Sequence, residues 1–344
     1  MCGILLRQEG RMLFVPILVV GFAASLGLTP LSRALAMRFG IVDQPNQRKI
    51  HGDHKPMMGG LAIYIAFAMT LLLFSPAQHF VELGAVLSGA AFLAIIGLWD
   101  DRYGLSIRTR LVAMAFAAIV LIVAGIHIKL FRIAPLDYAL TILWILTITN
   151  AVNFLDNMDG LAAGLTSIAA GFFLILAITQ ELSLVSSLAA ALLGSAVGFL
   201  IYNFNPASSF MGDMGALVLG FVLAVLGIKL EFSQPLSVTW MIPVLVLALP
   251  IFDIHLVVFT RLIEGRSPGQ GGKDHTSHRL MSVGFSQRQT LFILYGACGL
   301  FGLIALILSE TPAHLAMRLG IASLVLLGLL FIVMMWIRRR YQVA

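Results

Sequence analysis

The stretch Asn150-Ala-Val-Asn-Phe-Leu-Asp-Asn-Met-Asp-Gly-Leu-Ala-Ala-Gly164 lies in a run from Tyr138 to Gln180 whose only charged side chains are Asp156 and Asp159. On each side of it the chain stays apolar for about the twenty residues that a helix needs to cross a bilayer. This predicts two membrane helices joined at one membrane face. The join is far more polar than a connection requires, because Asn150, Asn153, Asp156, Asn157 and Asp159 fall close together. At i, i+3 spacing, Asp156 and Asp159 would project from one helix face about one turn apart. Ionisable side chains at the end of a membrane span are costly to place there and by default mark a functional site.

The same pattern continues outward along the chain. Hydrophobic residues make up 60% of the 344 and charged residues 11%, against about 25% charged in a soluble domain. An all-α, polytopic integral membrane protein follows. Eleven spans are expected, at about 12–32, 58–78, 82–99, 110–127, 135–153, 160–180, 183–203, 212–229, 234–256, 289–309 and 316–337. They form one transmembrane domain over residues 1–344, with a long loop at 260–288. Cys2 and Cys298 lie too far apart for a CxxC site and are too few for a disulfide framework. Arg7, Glu9 and Arg11 precede a hydrophobic run too long for a cleavable signal.

Lys and Arg set the orientation of such a chain. With the N-terminus outside and the C-terminus inside, the inner loops and C-terminal tail hold sixteen of the 22. The net charge of +6 is therefore a topology signal, and no nucleic-acid partner is expected. Aspartates sort as well: all except Asp137 fall on the inner side, whereas all glutamates except Glu264 fall outside. Acidic residues contribute little to topology, so a one-sided aspartate set calls for a chemical reason. The working face is expected to be cytoplasmic.

Four inner loops carry the chemistry. The first, 42–60, offers Arg48, Lys49, His51, His54 and Lys55, which suits an anionic headgroup. The second opens with Asp100-Asp101, adjacent carboxylates that repel unless a cation lies near or one of them stays protonated. A later loop reads Phe210-Met-Gly-Asp-Met-Gly215. Gly-Asp-x-Gly at a helix start lets the backbone approach a ligand and leaves Asp213 free for a metal, and Phe210 can stack on a planar base. The longest loop contains Asp274-His-Thr-Ser-His-Arg279, with His275, His278 and Arg279 on adjacent turns if helical. Zinc would need further Cys or His at finger spacing, so phosphate binding fits this loop better. Hard oxygen ligands, basic groups and an aromatic at a lipid boundary are the equipment of phosphoryl transfer to a lipid phosphate.

On these motifs the chain resembles the polyprenyl-phosphate N-acetylhexosamine-1-phosphate transferases. The likeness covers nearly the whole chain in order: Asp-x-Pro-Asn-x-Arg-Lys-x-His at 43–51, Gly59-Gly60, Asp100-Asp101, Asn-Ala-Val-Asn-x-x-Asp-x-x-Asp-Gly at 150–160, Phe-Met-Gly-Asp-x-Gly at 210–215 and the His loop at 275–279. The resemblance implies a UDP-N-acetylhexosamine donor, undecaprenyl phosphate as acceptor, and Mg²⁺, with Mn²⁺ as a substitute. The products would be a polyprenyl-diphospho-sugar and UMP, at the bacterial plasma membrane. It implies that Asp100 or Asp101 deprotonates or orients the lipid phosphate, and that Asp213 leads the Mg²⁺ ligands with Asp100 and Asp156 beside it. The Asp156–Asp159 segment and Phe210 would receive the uridine, with His275, His278 and Arg279 on the diphosphate or sugar. Asp43, Asn46, Arg48, Lys49, His51, Asn150, Asn153 and Asn205 complete the implied substrate contacts. A homodimer is compatible with this family. Three departures stand out: Gly104 follows the aspartate pair, Asn157 replaces a usual Gly, and Ser277 stands where many members have a further His.

Two other readings remain at this point. One is the related phospho-MurNAc-pentapeptide transferase of peptidoglycan synthesis. The other is a transporter, which would place its coupling groups near the membrane midplane, commonly between inverted repeats. Here the carboxylates collect at one face.

Overall fold

A computed structural model describes residues 14–43, 55–74, 79–232, 235–269 and 271–342. The long apolar runs have no polar face to turn to water, and they become helices. In chain order these are α1 (Phe14–Phe39), α2 (Gly59–Phe74), α3 (Phe80–Tyr103), α4 (Ile107–Val123), α5 (Ala134–Leu155), α6 (Leu161–Thr179), α7 (Ser183–Asn203) and α8 (Gly212–Lys229). They continue with α9 (Leu236–Thr239), α10 (Met241–Val246), α11 (Ala248–Ile263), α12 (Thr276–Ser282), α13 (Gln287–Glu310) and α14 (Ala313–Ile337). Two short segments, β1 (Val42–Asp43) and β2 (Lys55–Pro56), pair antiparallel. The chain packs as two compact units that divide after Leu230.

The first unit is built around α8. Every residue from Met214 to Leu226 is buried, as expected of a helix that is apolar on all sides. Helices α2, α3, α5, α6 and α7 pack around it, and α1 closes the layer against α2 and α7. Two glycines let backbones touch at the first turn of α8. A side chain at Gly97 of α3 would collide with the Met214 backbone, and one at Gly60 of α2 with that of Gly215. Helices α3 and α8 run in opposite directions: Lys229 Nζ at the end of α8 lies 2.9 Å from Glu82 Oε1 at the start of α3. The end of α3 therefore meets the start of α8, and the two spans deliver Asp100, Asp101 and Asp213 to one place.

The loop before α8 is laced to the entry of α2. The Phe210 amide donates to the Pro56 carbonyl (2.8 Å), while the Gly59 and Gly60 amides donate to the carbonyls of Phe210 and Met211 (2.9 Å each). Arg102 closes the far side by donating to the carbonyls of Phe39 (2.9 Å) and Gly40 (3.3 Å), satisfying acceptors at the end of α1 that have no partner within the helix.

In the second unit, Leu236–Val246 and Ala248–Ile263 are bent by 76° across Leu247. Pro250 explains the break, because its ring clashes with the carbonyl four residues back, at Val246, and it has no N–H to give. Helix α10 packs on α13, and α11 on α13 and α14. The C-terminal turn at 338–342 packs on α12.

Among the described residues, eight helices are long and apolar enough to cross a membrane, or nine if the bent pair is one span. Helices stand at all eleven expected places, but two fall short in length. Helix α2 has 16 residues and α4 has 17, so at 1.5 Å per residue each reaches only about 25 Å.

Candidate functional site

Three helices converge on a cluster of carboxylates in the first unit. At the end of α3, Asp100 and Asp101 point to different partners. Both oxygens of Asp101 face the first turn of α8: Oδ1 accepts from the Asp213 amide (2.8 Å) and Oδ2 from the Met214 amide (3.3 Å). A carboxylate at the positive end of a helix satisfies amides that have no intrahelical partner. Gly212 makes room for this, since it has φ +68° and a side chain there would run into Asp101 Oδ2. Asp101 thus fixes the turn that carries Asp213.

Asp100 is buried. Its Oδ1 accepts from the Leu105 amide (2.6 Å), and its Oδ2 lies 3.1 Å from Arg110 Nη1. The same nitrogen stands 3.7 Å from Asp213 Oδ2. Asp213 is half-buried, and its other oxygen accepts from Asn153 Nδ2 at 2.5 Å. Asn153 comes from the last turn of α5, so α3, α5 and α8 each supply a side chain to this point.

Asp156 and Asp159 do not share a helix face. Helix α5 ends at Leu155 with Asp156 as its cap, and residues 156–160 form a turn that closes at Gly160, with φ +78°. This corrects the helical i, i+3 reading: a polar Asn-Met-Asp-Gly sequence supplies turn chemistry, and its glycine accepts the left-handed conformation. The two carboxylates then diverge in role. Burial pushes the Asp156 carboxyl up to about 7, with repulsion from Asp213 and then from Asp159 adding to it. Asp159 Oδ2 accepts from the Ala207 amide (2.9 Å) and from Asn205 Nδ2 (3.3 Å), which holds the loop ahead of Phe210. Asn203 works beside it, accepting from the Gly160 amide and donating to the Ser209 carbonyl.

The histidine loop belongs to the second unit. Asp253, fully buried in α11, accepts from the Thr276 amide (2.7 Å) and faces His275 Nδ1 at 2.8 Å. It caps α12 and orients the imidazole together. The His275 and His278 rings lie 6.1 Å apart. Burial holds His278 down at about 4, helped by the nearby His275 and Lys273, so its ring is neutral at physiological pH. Arg279 is fully buried. It donates to the Asp274 carbonyl (2.9 Å), the Met334 carbonyl (2.8 Å) and Thr260 Oγ1 (2.6 Å). That placement gives Arg279 a structural role in place of the substrate contact expected of it.

Asp274 is ringed by Arg261 (3.0 Å), Arg266 (2.7 Å) and Arg338 (3.2 Å). Burial alone would raise its carboxyl, but hydrogen bonds from Arg266 and Arg261, and the field of Arg266 and Arg338, hold it at about 2.

Of the other expected contacts, Asn46, Arg48, Lys49 and His51 lie outside the described residues. Asp43 sits opposite Lys55 in the β pair. Asn150 turns back to the Leu146 carbonyl (2.8 Å) and to Met114 Sδ (3.1 Å). Phe210 is half-buried at the laced loop. Sequence reasoning misses two residues. Arg110 counts there only as a positive-inside charge. Asp253 is a lone carboxylate in an apolar span, a signal that could have found it.

No group of three or more His, Cys, Asp or Glu that could hold a metal ion occurs among the described residues. A closed tetrahedral site is therefore not formed by them. Mg²⁺ asks for less: one or two carboxylates, with waters and substrate phosphates filling the rest. Asp100 and Asp213 are hard oxygen donors from two helices facing one cation, and they fit that requirement.

Residues 83–231 match the model of glycosyl transferase family 4, a segment that runs from α3 through α8. The chain is 32% identical over 319 residues to a protein of Bacillus subtilis (strain 168), covering 90% of this chain and 89% of that one. That protein is named a probable undecaprenyl-phosphate N-acetylglucosaminyl 1-phosphate transferase. A decaprenyl-phosphate N-acetylglucosaminephosphotransferase of Mycolicibacterium smegmatis is 33% identical, with 85% and 82% covered. An undecaprenyl-phosphate alpha-N-acetylglucosaminyl 1-phosphate transferase of Yersinia pestis is 26% identical, with 90% and 89% covered.

Proposed function

The chain belongs to the polyprenyl-phosphate N-acetylglucosaminyl 1-phosphate transferases, and from that premise we propose that it moves GlcNAc-1-phosphate from UDP-GlcNAc to undecaprenyl phosphate. A phosphate oxygen of the lipid attacks the β-phosphorus of the nucleotide sugar. The new P–O bond forms as the bond from that phosphorus to the bridging oxygen breaks. Polyprenyl-diphospho-GlcNAc remains in the membrane and UMP leaves.

The observation that carries this reading is the meeting of Asp100, Asp213 and Asn153, from three helices, at the N-terminus of α8. Phosphoryl transfer is chiefly positioning and charge neutralisation. Asp213 and Asp100 would hold Mg²⁺, which when bound neutralises the diphosphate and the leaving UMP. Asn153 fixes the rotamer of Asp213, and Asp101 fixes the turn beneath it. Asp156, poised near neutral pH, is suited to accept a proton from the lipid phosphate. On the family's pattern Phe210 and the 156–159 turn receive the uridine. Arg48, Lys49 and His51 take the lipid headgroup. We place this face on the cytoplasmic side, where the Lys and Arg bias puts it.

The test is a membrane preparation of the chain supplied with radiolabelled UDP-GlcNAc, undecaprenyl phosphate and Mg²⁺. Lipid-linked label with stoichiometric UMP, lost on chelation, supports the proposal. Release of UDP in its place would mean ordinary glycosyl transfer and would defeat it.

A further inference from the structure

Arg110 has no part in the transfer steps above, yet it is the cation that both α3 and α8 present their carboxylates to. It sits in the first turn of α4, whose N-terminus is fixed by Ser106 Oγ accepting from the Thr109 amide (3.2 Å). One guanidinium nitrogen, Nη1, reaches Asp100 Oδ2 (3.1 Å) and Asp213 Oδ2 (3.7 Å) together. Asp100 Oδ2 is buried, and the Arg110 guanidinium is the cation facing it among the described residues, at 3.1 Å. A quarter of the Arg110 side chain is exposed, which leaves the guanidinium a way out.

Nη1 faces the space between these two oxygens at 3.1 and 3.7 Å, and a divalent cation reaching both at about 2.1 Å would enter that space. Two cations cannot share it: like charges a few ångströms apart in a poorly solvated site repel strongly. We propose that Arg110 is the resident counter-ion of the Asp100–Asp213 pair in the metal-free protein, and that a divalent cation binds these carboxylates by displacing its guanidinium. The proposal rests on the reading that this pair holds Mg²⁺. It gives the Asp100–Asp213 pair a counter-charge in the substrate-free protein and makes metal affinity the outcome of a competition. A merely structural Arg110 predicts the opposite sign, because its loss would let the two carboxylates splay apart and weaken metal binding.

Mn²⁺ alone is the probe, titrated by electron paramagnetic resonance into the full chain in detergent, with neither nucleotide sugar nor lipid phosphate present. Arg110→Gln should bind Mn²⁺ about tenfold more tightly than wild type, the change that loss of one charge-assisted contact corresponds to. Equal or weaker binding would overturn the proposal. Arg110→Lys offers a point charge that bridges two oxygens less well than a planar fork, so it should fall between wild type and Gln. Should the Gln variant fail to fold, Lys decides: tighter than wild type supports the displacement, equal or weaker removes it. Asp213→Asn should lose most Mn²⁺ binding, and wild-type affinity there would also overturn the proposal. UMP release by the wild-type preparation tests the transfer reading separately, since that reading fails without UMP whatever Mn²⁺ does.

Discussion

Carboxylates in the two units live under opposite conditions. In the first, Asp100, Asp213 and Asp156 face one another with Arg110 as the nearby cation. In the second, Asp274 alone is ringed by Arg261, Arg266 and Arg338, and Asp253 faces a histidine and caps a helix. The second arrangement is complete without any ligand and holds a loop in shape. Among the described residues the first has one guanidinium facing this group of carboxylates, a condition that suits a site receiving a cation and phosphates. Where charge is left unbalanced, function is to be sought; where it is balanced, the fold.

Single substitutions test that contrast, and the largest effect should come from Asp213→Asn. Transfer should fall by about a thousandfold, the scale of losing a leading electrostatic group, while the thermal midpoint stays level or rises as a repelling charge goes. A midpoint that drops steeply would erase the contrast. Asp274→Asn should do the reverse, destabilising by about 3–5 kcal/mol because three guanidinium groups lose their shared partner. Chemical denaturation in detergent measures it, and a loss below about 1 kcal/mol, the range of exposed ion pairs, would place this network with the surface pairs. Arg279→Met should cost about 2–3 kcal/mol, since it strands the acceptors at Asp274, Met334 and Thr260. The fraction that folds should keep its turnover, and a selective rise in KM would restore the substrate contact.

The smallest effect is a pair of opposed pH slopes. Asp156 titrates near 7 in the folded chain against an ordinary 3.8, so the unfolded state binds fewer protons between these values and stability falls as pH rises through that window. His278 titrates near 4 against 6.5, so the unfolded state binds more protons there and stability falls as pH drops from 6.5 toward 4. Asp156→Asn should flatten the first slope and His278→Gln the second, read as thermal midpoint against pH. Either variant leaving both slopes unchanged would detach that residue from its assigned environment.

Much of the fold is legible in the order of residues along the chain. Apolar runs near the length of a bilayer crossing locate the helices, because span length and hydropathy are local quantities, but they show neither the bend at Leu247 nor the shortness of α2 and α4. The motif residues Asp100, Asp101, Asn153, Asp156 and Asp213 stand out because charged or strongly polar groups next to an apolar run are costly. Their division of labour does not. Asp100 and Asp101 are neighbours in the chain, but one meets a guanidinium from α4 and the other caps a helix that begins at Gly212. Ser277 shows the same limit: a His there looks harmless by family resemblance, yet the serine is 1% exposed and a larger side chain would overpack the loop.

The sequence by itself determined that this chain is a polytopic helical membrane protein and which residue types it places at the ends of its spans. Periodicity, run length and the cost of charge in lipid act on the chain locally and need no partner to be read. Only the tertiary structure decided which carboxylates cap helices or join arginine networks and which come together from separate helices. That distinction depends on donors that arrive from distant helices: the amides of α8 for Asp101, Arg110 for Asp100 and Asp213, and three arginines for Asp274. Electrostatic balance at a site is a sum over spatial neighbours, and packing chooses the neighbours.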